Sequence, residues 1–382
     1  MGKGIFVRTW KALPSAEPES GLGPLFNADA CTACHFKDGR GGLVNGRSRV
    51  PAPLIFLLPA KEDVHDWGQQ LQTRSTKGRP EASVKTILHE FEYKYPDERV
   101  VKLRRLRHDV VGHASLRVMA RIPPTLIGLG LLEAVSARTI AARADPSDKD
   151  GDGISGRLSW VNTSDVPRLG RFGWKAQQPT LPLMVATALR EDMGISTSRY
   201  PDAGCAAEDR GCRTKSRQPE IALNDFELLI AYVRSLAPPA SREATESSLR
   251  GEALFQSIGC ADCHRPTLTT SQTADAAYPK GISRQQIRPY TDMLLHDMGA
   301  ELADAGRIAG GASKSEWRTA PLWGLGLLKT VNGTTRLLHD GRAHTFEEAI
   351  LWHGGEAERS RRRFTHLSPL ERKDLINFLD RI

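Results

Sequence analysis

The chain has few of the features that would place it in a membrane or on a nucleic acid. No apolar run in its 382 residues approaches the roughly 18–20 residues that a membrane span requires. Aromatic residues make up 6% of the chain and are not interleaved with basic residues. We therefore predict no membrane span and no nucleic-acid partner. The net charge of +8 is spread along the chain, which is typical of a solvated surface, although it would also favour an acidic partner.

Cysteine is also scarce, with six residues, yet four of them fall in two short motifs. Each motif reads Cys-x-x-Cys-His, the attachment signature of c-type haem, in which two thiols bond the porphyrin vinyl groups and the histidine binds iron. A redox dithiol has no need of that histidine, and a zinc site would need further ligands nearby. We therefore predict two covalently bound haem c groups. The predicted attachment and iron-ligand residues are Cys31, Cys34 and His35 in the first motif and Cys260, Cys263 and His264 in the second.

The two remaining cysteines, Cys205 and Cys212, lie in one polar loop. We expect them to form a disulfide with each other, since the other four are committed to haem; a redox-active pair is the alternative. Both a disulfide and attached haem indicate an oxidising compartment, so we expect a periplasmic protein. The longest apolar stretch near the start is Ile5–Val7, which is too short for a signal peptide, so we interpret the chain as mature or truncated.

A short sequence motif occurs in both halves of the chain. Residues 121–132 and 318–328 both end in Gly-Leu-Gly-Leu-Leu, and each lies downstream of a haem motif. Capping-box patterns at Asn224 and Ser368 predict an amphipathic helix near the end of each half. With no evident strand alternation, we predict a mostly α chain of two cytochrome c-like helical domains, produced by internal duplication and each carrying one haem. The predicted domains are residues 1–240, which hold insertions, and residues 241–382.

One excess segment of the first half is acidic. Asp148, Asp150 and Asp152 alternate ahead of Gly153, a pattern that suits a Ca²⁺ loop built from oxygen ligands. The twelfth position from Asp148 is Ser159, where an EF-hand has Glu. A bound calcium ion and a metal-free acidic turn both remain open.

Four further sequence motifs are similar to motifs of a known protein family. They are Gly-Leu-Gly-Pro-Leu-Phe-Asn at 21–27, Gly-Arg-Phe-Gly-Trp-Lys-Ala at 170–176, Trp-Arg-Thr-Ala-Pro-Leu-Trp at 317–323 and His-Asp-Gly-Arg at 339–342. With them the chain resembles the bacterial di-haem cytochrome c peroxidase superfamily, which includes the MauG-type enzymes, and more closely its di-haem oxidoreductase branch. The resemblance implies that the N-terminal haem reacts with hydrogen peroxide. It also implies that the C-terminal haem receives electrons from a small redox protein, a cytochrome c or a cupredoxin.

The resemblance also suggests roles for residues near the first haem. Trp174 fills the place of the tryptophan between the two haems, although the next two residues differ from the family's Asp-Gly. Met184 stands where the family has a glutamine beside the open face of the first haem. A thioether cannot donate a hydrogen bond to peroxide and would instead be able to bind iron. Asp192, or Glu191 one residue earlier, takes the place of the acid/base carboxylate.

For the second haem, His353 is the predicted distal ligand. It stands fourteen residues after His339, where the peroxidases have Met and the MauG-type enzymes have Tyr. A helix capped by Thr345, with Glu348 at the capping-box position, would place His353 at the end of an apolar stripe. That stripe consists of Phe346, Ala349 and Ile350. A packed histidine bound to a carbonyl is the alternative; two histidine ligands would lower the haem potential relative to His/Met.

The sixth position of the first iron is less well defined. Residues 36–64 contain no histidine, although the family's displaceable ligand lies in this region. Either the iron is five-coordinate or a distant residue binds it, with Met184 the first candidate and His65 and His113 behind it.

We therefore predict a periplasmic, peroxide-reducing di-haem oxidoreductase in which electrons pass from the C-terminal haem through Trp174 to the N-terminal haem. Two alternatives remain. One is an electron-transfer cytochrome in which Met184 closes the first site. The other is a MauG-like oxidase of a protein or small-molecule substrate.

Overall fold

The described part of the chain covers most of its length. A computed structural model describes residues 1–12, 20–41, 54–59, 69–76, 78–163, 166–201, 219–272, 278–279, 281–306 and 311–382. The predicted disulfide between Cys205 and Cys212, and the candidate ligand His65, lie outside these residues. Within them, no helix is both long enough and apolar enough to cross a membrane.

The helices are mostly short, and the long ones lie near the end of each half. In chain order they are α1 Gly2–Phe6, α2 Cys31–Cys34, α3 Leu129–Glu133, α4 Ala137–Ala141, α5 Leu181–Met193, α6 Leu223–Ser235, α7 Glu246–Ser257, α8 Cys260–Cys263, α9 Leu328–Asn332, α10 Phe346–Leu351, α11 Glu358–His366 and α12 Pro369–Arg381. Single 3₁₀ turns lie at Phe36–Asp38, Ala300–Leu302, Leu325–Leu327 and Gly355–Ala357.

The strands form two-stranded sheets. They are β1 Lys11–Ala12, β2 Ser20–Leu22, β3 Leu25–Phe26, β4 Ile55–Leu57, β5 Arg74–Ser75, β6 Val84–Lys94, β7 Val100–Val110, β8 Met119–Arg121, β9 Trp160–Asn162, β10 Pro167–Leu169, β11 Leu268–Thr269, β12 Gln286–Ile287, β13 Leu295–Asp297 and β14 Glu316–Arg318. The pair β1–β2 is parallel. The antiparallel pairs are β3–β5, β4–β8, β6–β7, β9–β10, β11–β12 and β13–β14.

The prediction of a mostly α chain with two cytochrome c-like helical domains is wrong. Of the described residues, 33% are helical and 19% are in strands, with many small sheets, so they do not clearly form a pair of all-helical domains. The error lies in the strands: short pairs brace the segments between helices, and their two or three residues are too few to show alternation. A domain boundary near residue 240 stays a prediction.

The longest strands form a hairpin that braces the C-terminal half. Strands β6 and β7 pair over eleven residues each, from Val84 opposite Val110 to Lys94 opposite Val100. At the hairpin tip, the Tyr95 hydroxyl donates to Glu347 at 2.8 Å. Along β7, the Arg104 guanidinium donates to Glu348 at 2.8 Å. The hairpin therefore holds helix α10 from outside.

The two Gly-Leu-Gly-Leu-Leu motifs have the same backbone conformation and the same kind of packing contact in both halves. Gly128 and Gly324 adopt positive φ angles of 73° and 76°, which favour glycine. Two residues later, Gly130 packs against the Arg234 carbonyl near the end of α6, and Gly326 against the Asp380 carbonyl near the end of α12. A side chain at either position would collide with that carbonyl, so each motif fixes how closely a turn approaches a terminal helix.

Two of the three predicted helix starts are correct. Ser368 caps α12 through a full capping box with Glu371, and Thr345 accepts the Glu348 N–H at the start of α10. The prediction at Asn224 is wrong, because the cap lies two residues earlier, at Ala222, and has no side-chain hydrogen bond.

Candidate functional site

The first Cys-x-x-Cys-His motif forms the one-turn helix α2 beside a cavity, which both thiols and His35 line. The His35 Nδ1 atom lies 3.2 Å from the Gly39 carbonyl oxygen. A carbonyl only accepts hydrogen bonds, so the ring donates to Gly39, and the Pro124 backbone also accepts a hydrogen bond from it. Burial lowers the pKa of His35 to about 4, which keeps the imidazole neutral, the form that binds a metal ion.

Helix α5 supplies another wall of this first cavity. It begins after Thr180, whose hydroxyl accepts the Leu183 N–H at 3.4 Å. Its cavity-lining residues are spaced by helical steps, so one face of the helix points inward. They are Leu181, Met184, Val185, Ala188, Leu189, Asp192 and Met193. The fold therefore places Met184 and Asp192 on the cavity that holds Cys31, Cys34 and His35, while their roles stay predictions.

The Asp192 carboxyl is held in place and poorly solvated. Gln70 Nε2 donates to Asp192 Oδ1 at 2.7 Å. The Asp192 main-chain carbonyl accepts the N–H groups of Asn27 at 2.7 Å and Ala28 at 2.9 Å, which ties the end of α5 to the segment ahead of the first motif. Desolvation raises the pKa of Asp192 to about 6, the Gln70 hydrogen bond opposes this, and the Glu191 charge adds to it. Such a group exchanges protons near neutral pH.

The structure separates the two carboxylates that the sequence left as alternatives. The Glu191 side chain does not line the cavity and lies 3.5 Å from Arg190. Its main-chain carbonyl accepts hydrogen bonds from Gln70 and Gln72, at 3.0 and 2.7 Å.

His113, a reserve iron-ligand candidate, is exposed and outside the cavity lining. Gln70 was missed, because a lone glutamine carries no motif.

At the second motif, two histidines face one another. The Nδ1 atom of His264 lies 2.9 Å from the Tyr290 carbonyl, and that of His353 lies 2.7 Å from the Ala349 carbonyl. Each ring therefore has its Nε2 free. Burial lowers the pKa of both: for His264 to about 4, with a further contribution from His353, so both imidazoles are neutral.

The distance between these two rings fits a shared iron ion. Two imidazole nitrogens bound to one metal from opposite sides lie about 4 Å apart, and each ring centre lies roughly 1 Å further out, so about 6 Å is expected between centres. The ring centres of His264 and His353 are 6.5 Å apart. The apolar stripe of Phe346, Ala349 and Ile350 lines the same cavity as Cys260 and Cys263. The residues present at this second cavity thus fit a haem held between two histidines.

Trp174 lies at the wall of the second cavity, toward the first motif. Its Nε1 donates to the Ile122 carbonyl at 2.9 Å, which fixes the ring. The guanidinium of Arg40, five residues after His35, lies 5.5 Å from the centre of the Trp174 ring. Trp174 therefore contacts the segment leaving the first motif while it lines the second cavity.

Lys175, which departs from the family's Asp, has a structural explanation. Its ammonium is buried and donates to the carbonyls of Ser313, Lys314 and Glu316, at 3.1, 2.8 and 2.6 Å. It also lies 3.2 Å from Asp304. The lysine thus binds strand β14 against the Trp174 segment.

A buried histidine that sequence reasoning missed lies beside the second motif. His296 Nε2 is 2.8 Å from Asp292, and its Nδ1 is 2.7 Å from Glu356 and 3.7 Å from the Cys263 sulfur. Burial alone would lower the pKa of His296, but the hydrogen bonds to Asp292, Cys263 and Glu356 raise it to about 12. The spacing Asp292–His296 is a helical i, i+4 pattern in a non-helical segment, so the sequence offered no usable signal.

The acidic turn of the first half lies next to this histidine. Ligand oxygens of Asp148, Asp150 and Asp152 lie within 4.8 Å of one another. The Ser155 N–H and hydroxyl that follow both donate to Glu356 at 3.0 Å. The turn is therefore anchored to the second cavity, and a calcium ion in it stays a prediction.

Comparisons with known proteins support one family. The family model described as "Di-haem oxidoreductase, putative peroxidase" matches residues 82–382. Among curated proteins, none matches the chain. A solved structure of hydrazine synthase from Kuenenia stuttgartiensis, pressurised with xenon, is 20% identical with a TM-score of 0.28; the match covers 44% of this chain and 57% of that one. This chain thus spans less than two thirds of that protein's length, and a likeness so weak carries no argument.

The family match extends over the second motif, His353, Trp174, Met184 and Asp192, and the first motif lies ahead of it. The match covers well over half of the chain and confirms the family resemblance that the sequence motifs indicated. This chain belongs to the di-haem oxidoreductase family.

Proposed function

We propose that the protein is a periplasmic di-haem c-type oxidoreductase that reduces hydrogen peroxide at the first motif. The observation that carries the proposal is Asp192. Its carboxyl has a pKa of about 6 and lies on the same cavity as the two thiols and the imidazole of the first motif. A carboxyl so placed matches the acid/base group that peroxide cleavage needs.

The protein's part in this reaction is proton transfer. Haem held by Cys31, Cys34 and His35 would supply the redox chemistry that cleaves the O–O bond of peroxide. Asp192, mostly ionised at neutral pH, would take a proton from one oxygen of the substrate and give it to the other, which would leave as water. Reduction of one peroxide to two waters consumes two electrons and two protons in total; solvent supplies the protons, and Gln70 keeps the carboxyl aimed.

The second cavity supports a role in electron entry. Two neutral imidazoles face each other across it, so a haem there would have no open position for peroxide. Trp174 lines this cavity and contacts Arg40 from the first motif's segment, which suits a relay between the sites. Two histidine ligands favour a low potential and hence a low-potential donor.

For that donor we propose an acidic cytochrome c or cupredoxin. Ala357, Ser360 and Arg361 line the second cavity at the start of α11. The same helix exposes Arg359 and Arg362 to solvent. Positive charge beside the cavity would attract a partner of opposite sign and orient it for electron transfer.

Met184 favours a second candidate function. Its thioether lies on the first cavity with His35, and a thioether bound to that iron would close the site to peroxide. The protein would then be an electron carrier with two six-coordinate irons.

Electron paramagnetic resonance of the purified ferric protein, before and after one equivalent of hydrogen peroxide, separates the two. For the peroxidase we expect one high-spin and one low-spin signal, with the high-spin signal lost on adding peroxide. The Met184→Leu variant should keep the high-spin signal, and Met119→Leu, at a buried methionine of β8 outside the cavity, is its control.

Two low-spin signals that peroxide does not change, before and after partial reduction, would contradict the peroxidase function. If Met184→Leu alone then produced a high-spin signal, Met184 would be the ligand and the electron-carrier function would stand.

A further inference from the structure

Two buried arginines of the second cavity form hydrogen bonds only to neutral carbonyls within the described part of the chain. Arg40 is 9% exposed; its Nη2 donates to the Leu338 carbonyl at 2.8 Å, and its Nε has no acceptor among the described residues. Arg318 is 7% exposed and donates to the carbonyls of Gly173 and Thr319, both at 3.0 Å. Burial lowers the pKa of each to about 10, so both remain charged at neutral pH.

Three other buried arginines of the described chain have carboxylate partners. Arg121 pairs with Asp304 at 2.7 Å, Arg342 with Asp340 at 2.7 Å, and Arg372 with Asp97. A buried guanidinium without a counter-charge costs considerable free energy. At these three positions a protein carboxylate supplies the counter-charge. No carboxylate of the described residues pairs with Arg40 or Arg318 in this way, which indicates that a bound anion supplies the counter-charge there.

The acidic residues that act on Arg40 and Arg318 are already engaged. Asp340, whose charge acts on Arg40, accepts a hydrogen bond from Arg342 at 2.7 Å. Asp292, whose charge acts on Arg318, lies 2.8 Å from the His296 ring. Among the described residues, therefore, no carboxylate takes up the remaining donor capacity of the two guanidiniums.

Both arginines line the cavity that holds Cys260, Cys263 and His264. Haem carries two propionate carboxylates, and a guanidinium is the preferred donor for a carboxylate because it presents paired N–H groups. We propose that Arg40 and Arg318 bind the propionates of the second haem. This inference rests on the haem proposed at that motif, but not on peroxide reduction.

The position of Arg40 gives the contact a further consequence. Arg40 comes five residues after His35, on the segment that leaves the first attachment site. A guanidinium bound to the second haem's propionate would therefore join the first site's backbone to the second cofactor, alongside Trp174. Positive charge at this place also disfavours the oxidised iron and so raises the second haem's potential.

Equilibrium redox titration of the holoprotein, followed at the low-spin signal of the second haem, tests the assignment. Arg40→Met and Arg318→Met should each shift that midpoint potential downward, because a positive charge is lost beside the haem. Arg40→Lys keeps the charge and should shift it less, which keeps the test usable where Arg40→Met accumulates poorly. Arg372→Met removes a buried arginine outside the cavity and is the matched control.

Met variants whose midpoint equals that of Arg372→Met would overturn the assignment. Haem content, measured first on the wild-type protein, distinguishes the failures. A chain without haem at the second motif would overturn both this inference and the proposed function, and a chain without haem at the first motif would overturn the proposed function alone. Two haems, a downward shift and no reaction with peroxide would support this inference and reject the proposed function.

Discussion

The two cavities start from the same five-residue motif and differ in the helix that crosses each. In the second half, Thr345 caps α10, which ends after six residues and delivers His353 just beyond its end. In the first half, Thr180 caps α5, which runs for thirteen residues and places Asp192 in its last turn. A short helix thus brings an imidazole to one cavity, while a longer one brings a thioether and a carboxyl with a pKa of about 6 to the other. Helix length, more than the attachment motif, sets what each site is able to do.

The largest expected effect comes from removing the ligand that distinguishes the second site. His353→Ala should convert the second haem from low-spin to high-spin, because the sixth position loses its imidazole. Absorption and paramagnetic resonance spectra of the ferric protein measure this change. His366→Ala, at an exposed histidine of α11, is the control, and an unchanged low-spin second haem would refute the ligand assignment.

Removing the carboxyl that distinguishes the first site comes next. Asp192→Asn should slow the reaction with peroxide by about 10²–10⁴-fold, the usual contribution of a positioned acid/base. Below pH about 6 the wild-type carboxyl is protonated and cannot accept a proton, so the wild-type rate should rise with pH through that value. The variant should lack this rise.

Stopped-flow mixing with peroxide at a series of pH values measures both effects. Glu191→Gln is the companion variant, since Glu191 is also desolvated but does not line the cavity. Equal losses in the two variants would reject the choice of Asp192.

A smaller effect is expected where the two sites communicate. Trp174→Phe should slow electron transfer from the second haem to the first while both haems stay bound, because the indole and its hydrogen bond to Ile122 are lost. The rate is followed after half-reduced protein is mixed with peroxide. Trp160→Phe, at a tryptophan that is 54% exposed, is the control. Identical inter-haem rates in the two variants would remove Trp174 from the path.

The smallest effect concerns electron entry, which only the second site is proposed to serve. The double substitution Arg359→Glu and Arg362→Glu should slow reduction by an acidic donor at low ionic strength and matter little at high salt, where the charges are screened. Arg107→Glu, on the exposed side of the hairpin, reverses one charge away from α11 and is the control for the effect of a charge reversal elsewhere on the surface. A rate that does not depend on salt in any of these proteins would argue against docking at α11.

Part of the candidate site could be predicted from sequence patterns that involve only neighbouring residues. The Ser368 capping box and the Thr345 cap each depend on neighbours within a few residues, so the sequence alone was enough to predict them. The family resemblance then pointed to Met184, Asp192 and His353, and the fold brings each to a cavity beside a haem motif.

What the sequence could not predict depends on contacts between distant segments. Gln70 reaches Asp192 across 122 positions, and His296 reaches Glu356 across 60. Neither pair shares a motif. The hairpin is different, because Phe91, Tyr93 and Tyr95 do recur at every second position. That alternation was present in the sequence and was overlooked, which contributed to the wrong fold class.

The hairpin that braces α10 also affects the order in which the protein is completed. Its contacts to Glu347, Glu348 and Arg372 close loops of 252, 244 and 275 residues. Long loops are slow to close, and each costs chain entropy before any contact compensates for it. During synthesis, β6 and β7 emerge well before the helices they support. The described residues that line the first cavity end at Val233 and are all synthesised before α10 begins at Phe346, so we expect the first cavity to form before the second.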